Sequence, residues 1–223
     1  MRTSIFSIAL FAVTALGASF PGVDRGLKVP GCDVSKAKLP EATPGSTALV
    51  VPNASVAKPK YIGLGLGVQN YTCDATSGKF AGAVATLYDI SCLEKSPLFS
   101  NIQDIGFLLE KDRPHLEKVL EVLVGKTCLK LGDHFFVTSP SGTGISPRFD
   151  FTKTLHNRNA FVLAARAAGE PAPVTSEDVD WLELSNVEGG LAKFVFRVRT
   201  KGGQPATSCK AGQLASVPYA AQY

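Results

Sequence analysis

Two groupings in the 223-residue chain have residue types that could do chemistry. In "GDHFF", Asp133 and His134 set a carboxylate beside an imidazole, the pair that general acid–base hydrolysis uses, and His156 is a second imidazole that a fold can bring to Asp133. Adjacent residues of a strand point to opposite faces, which counts against Asp133 and His134 acting as a local pair. In "YIGLGLGVQNYTC" (residues 61–73), Gly63, Gly65 and Gly67 fall at alternate positions, which raises the question of a phosphate-cradling turn. A dinucleotide fingerprint needs Gly-x-Gly-x-x-Gly between a strand and a helix. Counted from Gly63 the third position is Val68, counted from Gly65 it is Asn70, and "NYTCDATSGK" shows no helical period. No helix N-terminus is offered to a pyrophosphate.

The physical reading of the glycines is a strand with one bare face. Tyr61, Gly63, Gly65 and Gly67 share one side and Ile62, Leu64, Leu66 and Val68 the other. A bare face admits something large against the backbone, either an aromatic of the chain itself or a ligand. If a ligand binds, the face bearing Gly63, Gly65 and Gly67 is the place, with Gln69, Tyr71, His134 and Trp181 as polar and aromatic contacts. Trp181 also reads as a core anchor at the start of "WLEL". Glu177, Asp178 and Asp180 read as a solvated turn, with a calcium site as a minor alternative because the spacing of a calcium loop is missing. No Gly-x-Ser-x-Gly, His-Glu-x-x-His or Walker motif is present.

The elements that must position these residues are mostly strands. Alternating or all-apolar runs occupy 61–73, 82–92, 134–138, 148–151, 180–184 and 191–200. In "LAKFVFRVRT", Ala192, Phe194, Phe196 and Val198 alternate with Lys193, Val195, Arg197 and Arg199, so the arginines are expected on a solvated face. Leu116, Val119, Leu120, Leu123 and Val124 recur at helical spacing after Pro114 and before Gly125, which predicts one helix over about 114–124. "AFVLAARAAGEP" suits helix by its alanines and strand by Phe161, Val162 and Leu163. The expected fold is mainly β, a single β-sandwich or barrel-like domain with one covering helix.

Upstream, Arg2, an apolar run from Ile5 to Leu16 and the small residues Ala15, Gly17 and Ala18 form a signal-peptide pattern over residues 1–18. The run is too short to span a membrane, and no later stretch is long and apolar enough. Residues 19–59 carry Pro21, Pro30, Pro40, Pro44, Pro52 and Pro59 and read as an extended arm with one strand at "TALVVP", ahead of a β-rich domain over 60–223. The formal charge of +4 is mild and scattered, which argues against a nucleic-acid partner. All five cysteines lie after the leader; in an oxidising compartment two bridges and one leftover thiol are expected. "NAS" at Asn53 and "NYT" at Asn70 are glycosylation sequons, the second usable only if Asn70 points outward.

Taken together, "YIGLGLGVQNYTC", "GAVATLYDI", "GDHFF", "WLEL", "RVRTKGGQPATSC" and "VPYAAQY" resemble, in this order, a family of secreted fungal and bacterial proteins, domain of unknown function 3455. The resemblance spans about residues 32–223. It implies a compact, β-rich, secreted domain with no catalytic residues or cofactor to carry over. Fungal members often bear a malate dehydrogenase label, which Gly63–Gly67 do not support. It also implies bridges Cys73–Cys209 and Cys32–Cys92, with Cys128 left over. Similar proteins continue past Tyr223 with a further aromatic pair, so a short or weakly pinned last edge strand is expected here. The leading expectation is an extracellular or cell-wall binding protein whose partner is a wall glycan, a host surface or a small apolar ligand. A hydrolase using Asp133, His134 or His156 and a structural wall component are the alternatives.

Overall fold

The computed structural model describes residues 32–51, 57–74, 77–109, 113–124 and 130–223. Eight strands follow one another around a closed antiparallel barrel: β1 (Gly63–Cys73), β2 (Gly78–Asp89), β3 (Lys130–Thr138), β4 (Ile145–Asp150), β5 (Phe161–Glu170), β6 (Trp181–Glu188), β7 (Phe194–Gly202) and β8 (Leu214–Gln222). Of the two expected architectures, the barrel is the one formed. β1 is the longest-paired strand, running from Gly63↔Asp89 to Cys73↔Gly78 on one side and from Leu64↔Gln222 to Thr72↔Leu214 on the other. β8 is therefore no edge: it lies between β7 and β1, and beyond it the Tyr223 and Gly63 backbones exchange both hydrogen bonds at 2.8 Å. Pairing on both sides corrects the expectation of a weakly pinned last strand.

The alanine-rich "AFVLAARAAGE" segment is strand β5, because tertiary pairing with β4 and β6 overrides the helical propensity of alanine. The expected helix is α2 (Arg113–Val124), and its Leu116 and Leu120 are wholly buried. Gly125, its expected stop, lies outside the described residues. A second helix, α1 (Ile102–Leu109), was not expected. Its Gly106 explains the omission: glycine weakens a helical signal, yet here a Cβ would lie 2.8 Å from a Leu66 methyl, so the bare position lets α1 settle on the barrel. Both helices cover the outside of β1, where Leu64, Leu66, Ile90, Ile102, Leu116 and Leu120 form one buried cluster. No described helix is long and apolar enough to cross a membrane.

The arm packs on the outer wall over β6 and β7. Leu49 is buried with Trp181 and Val198, and Leu39 and Ala42 pack beside them. The Ser46 hydroxyl donates to Glu170 at 2.5 Å, and the Val50 amide donates to Glu183 at 3.4 Å. Residues 47–51 form no strand, which corrects the "TALVVP" expectation; they hold on by side chains and single amides. Cys32–Cys92 ties the arm to the 3-10 turn after β2, and Cys73–Cys209 ties the end of β1 to the β7–β8 connection across 136 residues. A loop of that length gives a chain-entropy stabilisation of about 4–5 kcal/mol. Replacing Cys73 and Cys209 together by serine is expected to lower urea stability by about that amount. An unchanged midpoint would show that the bridge adds nothing.

Candidate functional site

The bare face of β1 lines the inside of the barrel. A Cβ on Gly65 would stand 2.5 Å from the Tyr223 ring and 3.1 Å from Leu87, and one on Gly67 would run into the Val84 carbonyl and the Ala85 backbone. Gly63 faces Leu131 at 3.6 Å. The glycines thus make room for Tyr223 and for close approach of β2, and their stretch of the lumen is filled by the chain itself. Gly65→Ala is expected to cost about 1–3 kcal/mol by overpacking, and much less in a Tyr223→Leu background. Equal costs in urea unfolding of the two backgrounds would sink this assignment.

Farther along the same face the lining turns polar. Gln69 is 2% exposed and its Nε2 has no hydrogen-bond partner. Tyr71 is buried, and its hydroxyl donates to the Gly203 carbonyl at 2.7 Å. From β3, His134 points inward and stacks on Phe149 at 4.3 Å and 11°. Its Nδ1 lies 3.0 Å from the Arg148 carbonyl oxygen, which makes Nδ1 the protonated nitrogen and leaves the lone pair on Nε2. From β8 come Tyr219 and Tyr223, whose hydroxyls meet at 3.0 Å.

Arg197 joins this group, against the expectation of a solvated face. Across β6 it is paired with Leu182, which packs into the lumen cluster, and cross-strand partners share a face. Phe196 and Val198 face the other way, under the arm. The Arg197 Nε and Nη2 both donate to the Asp180 carbonyl, at 3.0 and 2.8 Å, and no carboxylate among the described residues forms an ion pair with it. Burial pushes the Tyr71, Tyr219 and Tyr223 hydroxyls up, with the nearby guanidinium opposing it. Burial drives His134 down to about 4; the Arg148 carbonyl works against this and Arg197 adds to it.

Aromatic rings rim this end of the barrel. Phe80, 42% exposed, meets Tyr71 edge-on at 5.9 Å and Phe136 at 5.2 Å. A cavity of about 90 Å³ opens beside Tyr71 and is bounded by Gly78, Pro205, Ala215 and the Cys73–Cys209 bridge. Arg166, its side chain 60% exposed, stands 4.0 Å from the Asp180 carboxylate at the same end.

Other sequence candidates lie elsewhere. Trp181 faces outward and is buried beneath the arm, so it belongs to no shared site with Gln69, Tyr71 and His134. Asp133 sits on the outer face in an ion pair with Lys130 at 2.7 Å, and His156 is exposed in the β4–β5 connection, so neither reaches His134. Arg199 has a φ of 46° at a β-bulge, which turns it outward to donate to Gln222 at 3.0 Å and to lie 5.1 Å over the Phe99 ring. It is half-buried and engaged, not solvated. The acidic run does not converge: Asp178 is buried and accepts from the Gly202 amide at 2.6 Å, while Asp180 turns to Arg166. Among the described residues no three His, Cys, Asp or Glu side chains are gathered as metal ligands. Asn70 points outward and accepts from the Ser216 hydroxyl at 2.7 Å. Residues 1–18, Asn53 and Cys128 lie outside the described residues.

The buried imidazole makes stability depend on pH. Unfolded, His134 has its ordinary value of 6.5; folded, about 4. Between these values the unfolded chain binds a proton that the native state refuses. Stability is complete above pH 6.5 and falls as pH drops toward 4, by about 3 kcal/mol from this group. Urea midpoints at pH 7 and pH 4 are expected to separate more for the wild type than for His134→Phe. Equal separations would mean that the ring is not sealed.

All strand pairings are antiparallel and successive, so the described chain contains no βαβ unit for a dinucleotide. No curated protein and no solved structure matches the chain. Residues 53–223, which take in every strand of the barrel, match the family model described as "Protein of unknown function (DUF3455)". The chain belongs to the DUF3455 family.

Proposed function

We propose that this protein is an extracellular binding protein that takes a small ligand at the aromatic-rimmed end of its barrel. The observation that carries the reading is that the inner face of the barrel holds a buried Gln69 Nε2 lacking any partner and an inward, half-buried Arg197 lacking a carboxylate partner among the described residues. Buried donors without acceptors are costly unless something supplies the acceptor. An eight-stranded barrel has an interior just wide enough to be filled by side chains or to hold one small ligand, and here the stretch at Gly65 and Gly67 is filled by the chain while the lining farther along is polar, with Phe80 partly exposed at its rim. The leader pattern and the two disulfides support an oxidising, extracellular setting. A hydrolase centred on His134 draws no support: its neutral imidazole has no carboxylate to orient it and is a weak base with a pKa near 4.

The test is a thermal-shift screen of the non-reduced protein against wall oligosaccharides, small aromatic and aliphatic compounds, and NAD. A small compound at a hundredfold its Kd stabilises the native state by about 2.7 kcal/mol, which raises Tm by several degrees. The shift is expected to shrink in Phe80→Ala, whose partly exposed ring can be removed without emptying the core. Binding only of long polysaccharides, unaffected by that change, would move the site to the outer surface.

A further inference from the structure

We propose that the ligand is a small organic anion, a carboxylate on an apolar or aromatic body, with its head held by Arg197 and Gln69. This rests on the ligand-binding reading above and names the chemistry of the same site.

The first argument is charge. A guanidinium keeps its proton under all ordinary conditions, so Arg197 brings a permanent positive charge inside the barrel. Its acceptor is a neutral carbonyl, reached by two of the N–H groups, and the rest of the fork is left for another acceptor. The nearby Asp180 carboxylate does not serve, because its oxygen is turned to Arg166. A cation drawn part-way out of water without a counter-ion favours an incoming anion, and charge-assisted hydrogen bonds to carboxylates are the stronger kind.

The second argument is hydrogen-bond polarity. Gln69 presents an amide N–H₂, a group that only donates, with no acceptor in reach. Tyr71 has its hydroxyl proton committed to the Gly203 carbonyl. An unanswered buried donor on the inner face calls for an acceptor, and a carboxylate head offers acceptors only.

The third argument concerns the body of the ligand. Tyr71, Phe80 and Phe136 form an edge-to-face row at the rim, and the cavity of about 90 Å³ beside Tyr71 is walled by Pro205, Ala215 and the disulfide. Such walls suit a ring or short hydrocarbon. Tyr71 belongs to both environments, since it lines the cavity and lies within the field of Arg197.

The experiment is calorimetric titration of the disulfide-bonded protein with benzoate and phenylacetate and, in parallel, with the uncharged benzamide and phenylacetamide. The carboxylates are expected to bind at least tenfold more tightly than the amides. Gln69→Leu removes an unpaired amide for an apolar group of similar size, so it folds at least as well as the wild type. It is expected to weaken carboxylate binding about tenfold and amide binding less, because a primary amide offers one acceptor oxygen where a carboxylate offers two. Arg197→Gln is expected to abolish the preference altogether; if that variant does not fold, Gln69→Leu still decides. Amides binding as well as carboxylates would overturn the anion assignment and leave a small-ligand barrel standing. Binding of neither series would overturn both. A carboxylate preference that survives Gln69→Leu and Arg197→Gln would place the anion elsewhere.

Discussion

Everything in this molecule depends on β1 being able to pair on both sides while having almost no side chains on one of its faces. Gly63, Gly65 and Gly67 leave the inner face bare where β2 and Tyr223 come closest, whereas Leu64 and Leu66 on the outer face bury themselves under α1 and α2. A bulkier inner face would hold the walls apart. A polar outer face would leave the helices without a seat. The single strand therefore sets the barrel's width by omission and anchors its covering layer by burial.

Closure also sets the electrostatics. Inside the wall, water is scarce, and the two ionisable cations respond differently. His134 gives up its charge, first because of burial and further because Arg197 is near. Arg197 cannot do so, and remains a fixed positive charge among phenols and an unpaired amide. The proposed anion site rests on this contrast between a neutral imidazole and a guanidinium.

Much of the architecture was legible in the sequence because long alternations survive tertiary context: β1, β2 and β7 were visible as strands, and α2 as an amphipathic helix. The gathering of Gln69 and Tyr71 was legible too, since alternate residues of one strand must share a face. What alternation leaves open is which face is inside. Arg197 lies inside where a solvated face is expected, and Trp181 is the core anchor its place in "WLEL" suggests but on the outer wall, because the arm covers β6 and β7 and makes apolar residues useful outside the barrel. Arg199 then departs from its own alternation through a bulge that no spacing reveals. The alanines of β5 leave helix and strand both open, and the glycine of α1 hides a helix, for a shared reason: small side chains suit close packing, which masks the local preference of the segment. Cys73–Cys209 and Cys32–Cys92 were readable only through resemblance to the family, because spacing alone leaves the connectivity open.

The pairing of β1 with β8 has a consequence for the order of events as the chain is made. Residues 63–73 emerge early and their partners at 214–222 emerge some 140 residues later, about 7–30 seconds apart at ordinary synthesis rates. Through that interval β1 has only its hairpin partner β2, and its outer edge stands unpaired. Before the final segment arrives, the strands already made can pair only as an open sheet. A chain with this topology completes its hydrogen bonding only once synthesis has passed β8.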